Sequence, residues 1–153
     1  DGTGVFGNKK DFQAGSGPYT VAATDFNSDG NIDLIVCNSR DATISLLTGV
    51  GDGTFNPPKN TSLGTANVSL PYNIAIGDIN GDGKPDVVSA IYAEQQIGIT
   101  YNANGLFGTT TKLPASGFPR GVAIGDLNGD GTTDIVSANS TDGSISIILN
   151  KSK

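Results

Sequence analysis

Three copies of one nine-residue pattern constrain this sequence more than any other feature. The pattern is Asp-x-Asn-x-Asp-Gly-x-x-Asp, and its copies span residues 25–33, 78–86 and 126–134. Oxygen-bearing side chains stand at positions one, three, five and nine. Alternate residues of a tight turn can direct such groups to one point, as a hard cation such as calcium requires. Because glycine at position six also permits the sharp turn, the pattern predicts three calcium-binding loops.

The predicted side-chain ligands are the oxygen-bearing positions of the three loops. They are Asp25, Asn27, Asp29 and Asp33; Asp78, Asn80, Asp82 and Asp86; and Asp126, Asn128, Asp130 and Asp134. An EF-hand would need a carboxylate at position twelve, where the chain has Val36, Ser89 and Ser137. An acidic turn without metal would explain any single loop. Three such loops would, however, accumulate repulsion of about 1 kcal/mol per pair of charges in water with nothing to offset it.

Composition narrows the function classes. The chain has nine basic residues in no cluster and a net charge of −6, which argues against a nucleic-acid partner. No apolar run is long enough to span a bilayer. Histidine is absent, which removes the commonest general base, so we expect no enzymatic activity. The single cysteine, Cys37, aligns with Ala90 and Ala138 in the other repeats, which predicts a small buried residue.

The loops belong to a longer repeat. Short β-branched runs precede and follow each loop, and a third run alternates apolar with small or polar residues at 43–47, 96–100 and 144–148. A glycine-rich turn and a fourth segment with phenylalanine come next. Four short strands in about fifty residues, with no helix, predict an all-β fold of β-propeller blades. The predicted units are 17–56, 70–108 and 118–150 within one repeat domain, 1–153.

The third unit has no fourth segment after Asn150, but its equivalent stands at the beginning of the chain. Phe6 precedes the first loop by the same 19 residues that separate Phe107 from the third loop. We therefore expect residues 1–16 to be the outer strand of a last blade, in the same chain or in a partner. Since propellers close with about four to eight blades, three blades predict a ring-closing homodimer or, alternatively, the remaining blades of a larger propeller.

The repeats resemble the FG-GAP/VCBS repeats of integrin-α-like β-propellers. The resemblance rests on the Phe6-Gly7 and Phe107-Gly108 pairs, the Val/Ile-Ala-x-Gly/Thr-Asp approach to each loop, and the loops themselves. It covers nearly the whole chain, although Gly51–Phe55 lacks the Phe-Gly pair. It implies one Ca²⁺ in each of three loops, held by positions one, three, five and nine. It also implies a main-chain carbonyl ligand at position seven, which is Asn31, Lys84 or Thr132.

Residues that differ between the repeats are the candidates for ligand binding. They are Arg40, Tyr92, Phe118 and Arg120, and Tyr19 and Tyr72 lie just before the first strands. The alternative is that these rings pack between blades. We expect a non-catalytic, calcium-stabilised module for extracellular recognition or adhesion, with a protein or glycan ligand. The alternative function is a structural or accessory segment of a secreted carbohydrate-active enzyme or lectin. The extracellular setting follows because these loops lack a bidentate glutamate, and millimolar calcium fills even weak sites.

Overall fold

The computed structural model describes residues 4–152 as three antiparallel sheets, which we call blades 1, 2 and 3. Blade 1 contains β1 (Pro18–Thr24), β2 (Asp33–Asn38), β3 (Thr43–Leu47) and β4 (Lys59–Ser62). Blade 2 contains β5 (Pro71–Gly77), β6 (Asp86–Ile91), β7 (Gln96–Asn102) and β8 (Phe107–Pro114). Blade 3 contains β9 (Pro119–Gly125), β10 (Asp134–Asn139) and β11 (Ser144–Ile148). Each strand pairs with its neighbours in sequence.

The prediction of all-β, blade-like sheets is confirmed, and a closed ring is not formed by this single chain. The first strand of each blade begins earlier than the predicted apolar run, at Pro18, Pro71 or Pro119. Proline is tolerated there because the first residue of a strand need not donate a backbone hydrogen bond to the neighbouring strand. The fourth strands continue to Ser62 and Pro114, beyond the predicted unit ends at 56 and 108.

The blades stack face to face in chain order, with β1 beside β5 and β5 beside β9. Between blades 1 and 2, Ile35, Ile44 and Leu46 pack against residues that include Ile74 and Val87. A second core between blades 2 and 3 contains Val88, Ile97, Ile99 and Ile135. Blade 2 is therefore covered on both faces, which explains the nearly continuous apolar run of β6.

The N-terminal segment does not form the predicted outer strand within its own chain. Residues 4–14 form no strand, and β11 pairs only with β10, so it is an edge. The segment is instead anchored to blade 1, where the ring of Phe12 packs against Phe55 at 5.2 Å. Blade 2 lies between this anchor and β11. Residues 1–3 of the predicted strand lie outside the described residues.

Two further expectations concern Cys37 and membrane insertion. Cys37 is buried in the core between blades 1 and 2, and burial raises the pKa of its thiol to about 12. Cys37 is therefore a small, buried core residue, as the sequence predicts.

In the described part of the chain, no helix is long and apolar enough to cross a membrane.

Glu94 fastens the long connection between blades 1 and 2. One carboxylate oxygen accepts the hydroxyl of the buried Ser69, and the other lies 2.6 Å from the ammonium of Lys112. Burial disfavours the charged carboxylate, but the hydrogen bonds from Lys112 and Ser69 outweigh burial and hold the pKa of Glu94 below its ordinary value.

We expect Glu94→Gln to lower the free energy of unfolding by about 1 kcal/mol near neutral pH. Because the folded-state pKa is depressed, this stabilisation is present above the ordinary pKa and disappears as the pH falls through the folded-state value. Urea unfolding of both proteins at descending pH measures the difference. A gap that stays constant down to acid denaturation would contradict the ionic role.

Candidate metal-binding loops and a candidate ligand surface

Each of the three loops joins the first strand of a blade to the second, so the loops lie at the same end of the blades. Gly30, Gly83 and Gly131, at position six, have φ angles of 87°, 80° and 85°, in the left-handed region that glycine adopts without strain. The residue at position four also has a φ angle in the left-handed region, and in the first loop this residue is Ser28 instead of glycine. The turn that the three loops share thus rests on the glycine at position six and on a left-handed residue at position four.

The carboxylate at position one holds each turn together. Asp126 accepts the N–H groups of Gly129, Asp130 and Gly131 at 2.7, 3.1 and 2.9 Å. Asp78 accepts the equivalent three bonds, and Asp25 accepts two of them. Acceptors at position one therefore organise the backbone of all three loops in the same way.

Positions three and five are joined to the same turn. In the third loop Asn128 Oδ1 accepts the N–H of Asp130 at 2.9 Å, and Asn128 Nδ2 donates to the Asp130 carboxylate at 3.0 Å. The same two bonds occur in the other loops. The carboxylate at position five accepts the N–H of position seven at 2.8–2.9 Å. The structure thus brings the side chains of positions one, three and five together at an exposed turn.

The aspartate at position nine has a different environment. Asp33, Asp86 and Asp134 are fully buried, and one oxygen of each accepts the N–H of position two at 3.0 Å. The other oxygen accepts an N–H at or just after the end of the third strand of the same blade, at 2.8 Å in all three. These carboxylates thus connect the loop to the end of the third strand of its own blade. Their role as metal ligands stays a prediction.

The donor set fits calcium. Each loop offers carboxylates at positions one and five, an amide at position three and backbone carbonyls, all of them oxygen donors that calcium accepts in mixed sets. Within residues 4–152, no group of three or more acidic, histidine or cysteine side chains lies close enough to hold a metal by itself. Because the side chains at positions one, three and five offer oxygen donors, the loops suit a cation that accepts amide and carbonyl oxygens, as calcium does, better than one that requires nitrogen or sulfur ligands.

Hydrogen bonding lowers the pKa of the position-five carboxylate in the first and third loops. The N–H of Asn31, together with the side chain of Asn27, lowers the pKa of Asp29. The hydroxyl and N–H of Thr132 lower the pKa of Asp130. Burial raises the pKa of Asp86, at position nine, against the bonds it accepts. Hydrogen bonding therefore favours the charged form of Asp29 and Asp130, whereas burial disfavours that of Asp86.

A row of four rings lies at the opposite end of the blades, and we call it the aromatic row. Its members are Tyr19, Tyr72, Tyr92 and Phe118, and successive ring centroids are 4.8, 5.2 and 5.1 Å apart. Tyr19 and Tyr72 stand near the beginning of β1 and β5, whereas the metal-binding loops follow the ends of the first strands. The row crosses from blade 1 to blade 3.

Arg120 lies over this row. Its guanidinium carbon is 5.5 Å from the ring centroid of Tyr72 and 5.1 Å from that of Tyr92, which are cation–π distances. Among the described residues Arg120 has no ion pair with an acidic side chain. Tyr19 is 62% exposed. Phe118 has a φ of 57°, a strained conformation for a bulky residue, which the repeat also imposes on Gly17 and Leu70.

Three of the four predicted ligand residues come together in this surface: Tyr92, Phe118 and Arg120. Arg40 lies in the turn after β2, where its N–H donates to Ser16, and it is not part of the row. The alternative that the rings pack between blades is also partly met, because the row bridges all three blades. Tyr19 and Tyr72, which the sequence analysis placed just before the first strands, extend the same surface.

The geometry of repeated loops and blades agrees with the comparison to known proteins. The model of the FG-GAP-like repeat matches residues 25–89 and 78–137, a stretch that includes all three loops. No curated protein matches the chain. Since the matched residues make up most of the sequence, the chain belongs to the FG-GAP-like repeat family.

Proposed function

We propose that the chain is a non-catalytic, calcium-stabilised β-propeller module for recognition or adhesion outside the cell. FG-GAP-like repeats are compatible with such a module. Calcium would be held by positions one, three, five, seven and nine of each loop, and the buried aspartate at position nine would also support the loop from beneath through its two hydrogen bonds. The metal would supply stability, because the loops lie at the end of the blades that is remote from the aromatic row.

The aromatic row with Arg120 carries the proposal that this module recognises an acidic glycan. The guanidinium lies over two rings and has no ion pair among the described residues, and arginine forms paired hydrogen bonds with a carboxylate. The exposed ring of Tyr19 offers an apolar face to the C–H groups of a sugar ring. A glycan with carboxylate groups would use both features at once, whereas a neutral glycan would leave the guanidinium unpaired.

Binding to matched acidic and neutral oligosaccharides tests this proposal. Wild-type protein should bind oligosaccharides that contain uronic acids, and Arg120→Ala should weaken this binding by about 10- to 100-fold, the worth of a charge-assisted contact. Arg40→Ala removes the same charge outside the row and is the matched control, with little expected change. Calcium and chelator arms separate the contribution of the metal to folding from that of the ligand surface.

Three outcomes would contradict the glycan proposal. Equal binding of acidic and neutral oligosaccharides would remove the role of Arg120. Equal loss in Arg40→Ala and Arg120→Ala would indicate a nonspecific charge effect. Binding to no oligosaccharide would favour a protein ligand or a purely structural role in a larger secreted protein.

A further inference from the structure

A cavity of about 450 Å³ opens between blades 2 and 3, next to β11. Ile79, Leu113, Ile135 and Ile148 are among its apolar lining residues. Between blades 1 and 2, the side chain of Phe107, from the fourth strand of blade 2, packs into the core instead. Its ring lies 5.4 Å from Phe26, which is the repeat equivalent of Ile79. The cavity is therefore the place where a phenylalanine from a fourth strand of blade 3 would lie.

The N-terminal segment has the sequence that this place requires. Residues 6–14 align without a gap with residues 107–115, so that Phe6-Gly7 matches Phe107-Gly108 and Ala14 matches Ala115. In the single chain Phe6 is 96% exposed, and the neighbouring Val5 is also exposed. A large ring in solvent and an apolar cavity are thus found in one molecule, in equivalent repeat positions.

The chain enters blade 1 in the same way as it enters the later blades. In each blade the two turn residues after the second strand donate their N–H groups to the two residues that precede the first strand. The donor–acceptor pairs are Ser39–Gly17 and Arg40–Ser16 in blade 1, Tyr92–Leu70 and Ala93–Ser69 in blade 2, and Ser140–Phe118 and Thr141–Gly117 in blade 3. The segment before residue 16 therefore holds the position of an outer strand that belongs to a preceding blade.

Blade 3 exposes the face that blade 2 buries. Ile145 and Ile147 are 66% and 56% exposed, whereas their equivalents in blade 2, Ile97 and Ile99, are buried beneath blade 3. A first blade from another copy, stacked on this face as blade 2 stacks on blade 1, would bring its own N-terminal segment next to β11. In the single chain, blade 2 separates the segment from β11.

We propose that residues 5–14 of a second copy form the fourth strand of blade 3, with the side chain of Phe6 in the cavity. Blade 1 of that copy covers the exposed face of blade 3. The exchange is reciprocal, so two copies form a closed ring of six blades, within the usual range of propellers. The pairing of β7 with β8 in blade 2 predicts the register of this new strand. Gly98 lies opposite Lys112 there, and their repeat equivalents are Ser146 and Asp11, so Ser146 should lie opposite Asp11 of the second copy.

Disulfide cross-linking tests the exchange and its register. The background is Cys37→Ala, which places in blade 1 the residue that the other blades have there. Chains with Asp11→Cys are mixed with chains with Ser146→Cys and mildly oxidised. Directly opposite residues of paired strands lie within disulfide distance, so a linked heterodimer should form. Lys10→Cys mixed with Ser146→Cys is the control, because alternate residues of a strand point to opposite faces.

The cross-linking result can overturn the proposal in two ways. Equal linking in both mixtures, or none in the first, would contradict the register. A double variant, Asp11→Cys with Ser146→Cys, that links only within single chains would show that the segment closes on its own blade 3.

The mass in solution gives an independent measurement. Phe6 is exposed in the single chain, so Phe6→Ala leaves the fold of each copy intact while emptying the cavity. Its dimer dissociation constant, from analytical ultracentrifugation, should rise by about 100-fold or more. Val5→Ala is the control, because its equivalent Leu106 remains exposed in blade 2. A wild-type protein that is monomeric at tens of micromolar, or equal effects of the two substitutions, would overturn the proposal.

Discussion

Asp86→Ala should lower the free energy of unfolding by about 3 kcal/mol, with calcium or without it. The carboxylate is fully buried and accepts the N–H groups of Ile79 at 3.0 Å and Asn102 at 2.8 Å. Alanine leaves both donors without a partner inside the protein, and each such group costs about 1–3 kcal/mol. Urea unfolding in calcium and in excess chelator measures both values.

Asp82→Ala is the matched control in the same loop. Asp82 is exposed at position five and accepts only bonds from within the turn, so its loss should cost little in chelator. In calcium it should remove the stabilisation that one site provides, about 2.7 kcal/mol when free calcium is 100 times the dissociation constant. If Asp86→Ala is damaging only in calcium, position nine acts mainly as a ligand. If chelator leaves wild-type stability unchanged, the proposed role of calcium is wrong.

The strands that the sequence predicts well are those buried between blades. β6 is buried at every residue because blades 1 and 3 cover its two faces, and its nearly continuous apolar run therefore has few alternative structures. β4, at Lys59–Ser62, has no apolar alternation because it is an outer strand that pairs only with β3. Its position therefore could not be predicted from the pattern, and the predicted first unit ended too early.

The candidate sites were predictable only where a single segment forms them. Positions one, three and five meet within one turn, so the spacing of Asp25, Asn27 and Asp29 is enough to place them together. The burial of Asp33 could not be predicted from the spacing, because its carboxylate accepts the N–H of Gly49, which is 16 residues away in the sequence. The aromatic row joins residues from three blades, and only their stacking brings them together.

Phe26→Ala should be the most damaging substitution at position two of the loops, costing about 3–5 kcal/mol. Phe26, Ile79 and Leu127 occupy this position and are 1%, 7% and 50% exposed. The exposed fraction rises at the third loop because a following blade covers the first two residues but not Leu127. Each covering blade also supplies an asparagine, Asn102 or Asn150, whose Nδ2 donates to the backbone carbonyl of this position at 2.8 or 2.7 Å.

The same substitution in the three loops separates stacking of blades from the local stability of the loop. Ile79→Ala should cost about 2–5 kcal/mol, and Leu127→Ala should cost less than about 1 kcal/mol in dilute protein, where its side chain is exposed. If a second copy covers blade 3, the cost of Leu127→Ala should grow with protein concentration, because the dimer then contributes to stability. Thermal unfolding over a range of concentrations measures this dependence. Only the first two loops are covered by a following blade. Equal losses in the free energy of unfolding at all three positions would therefore show that the apolar residue stabilises the turn itself.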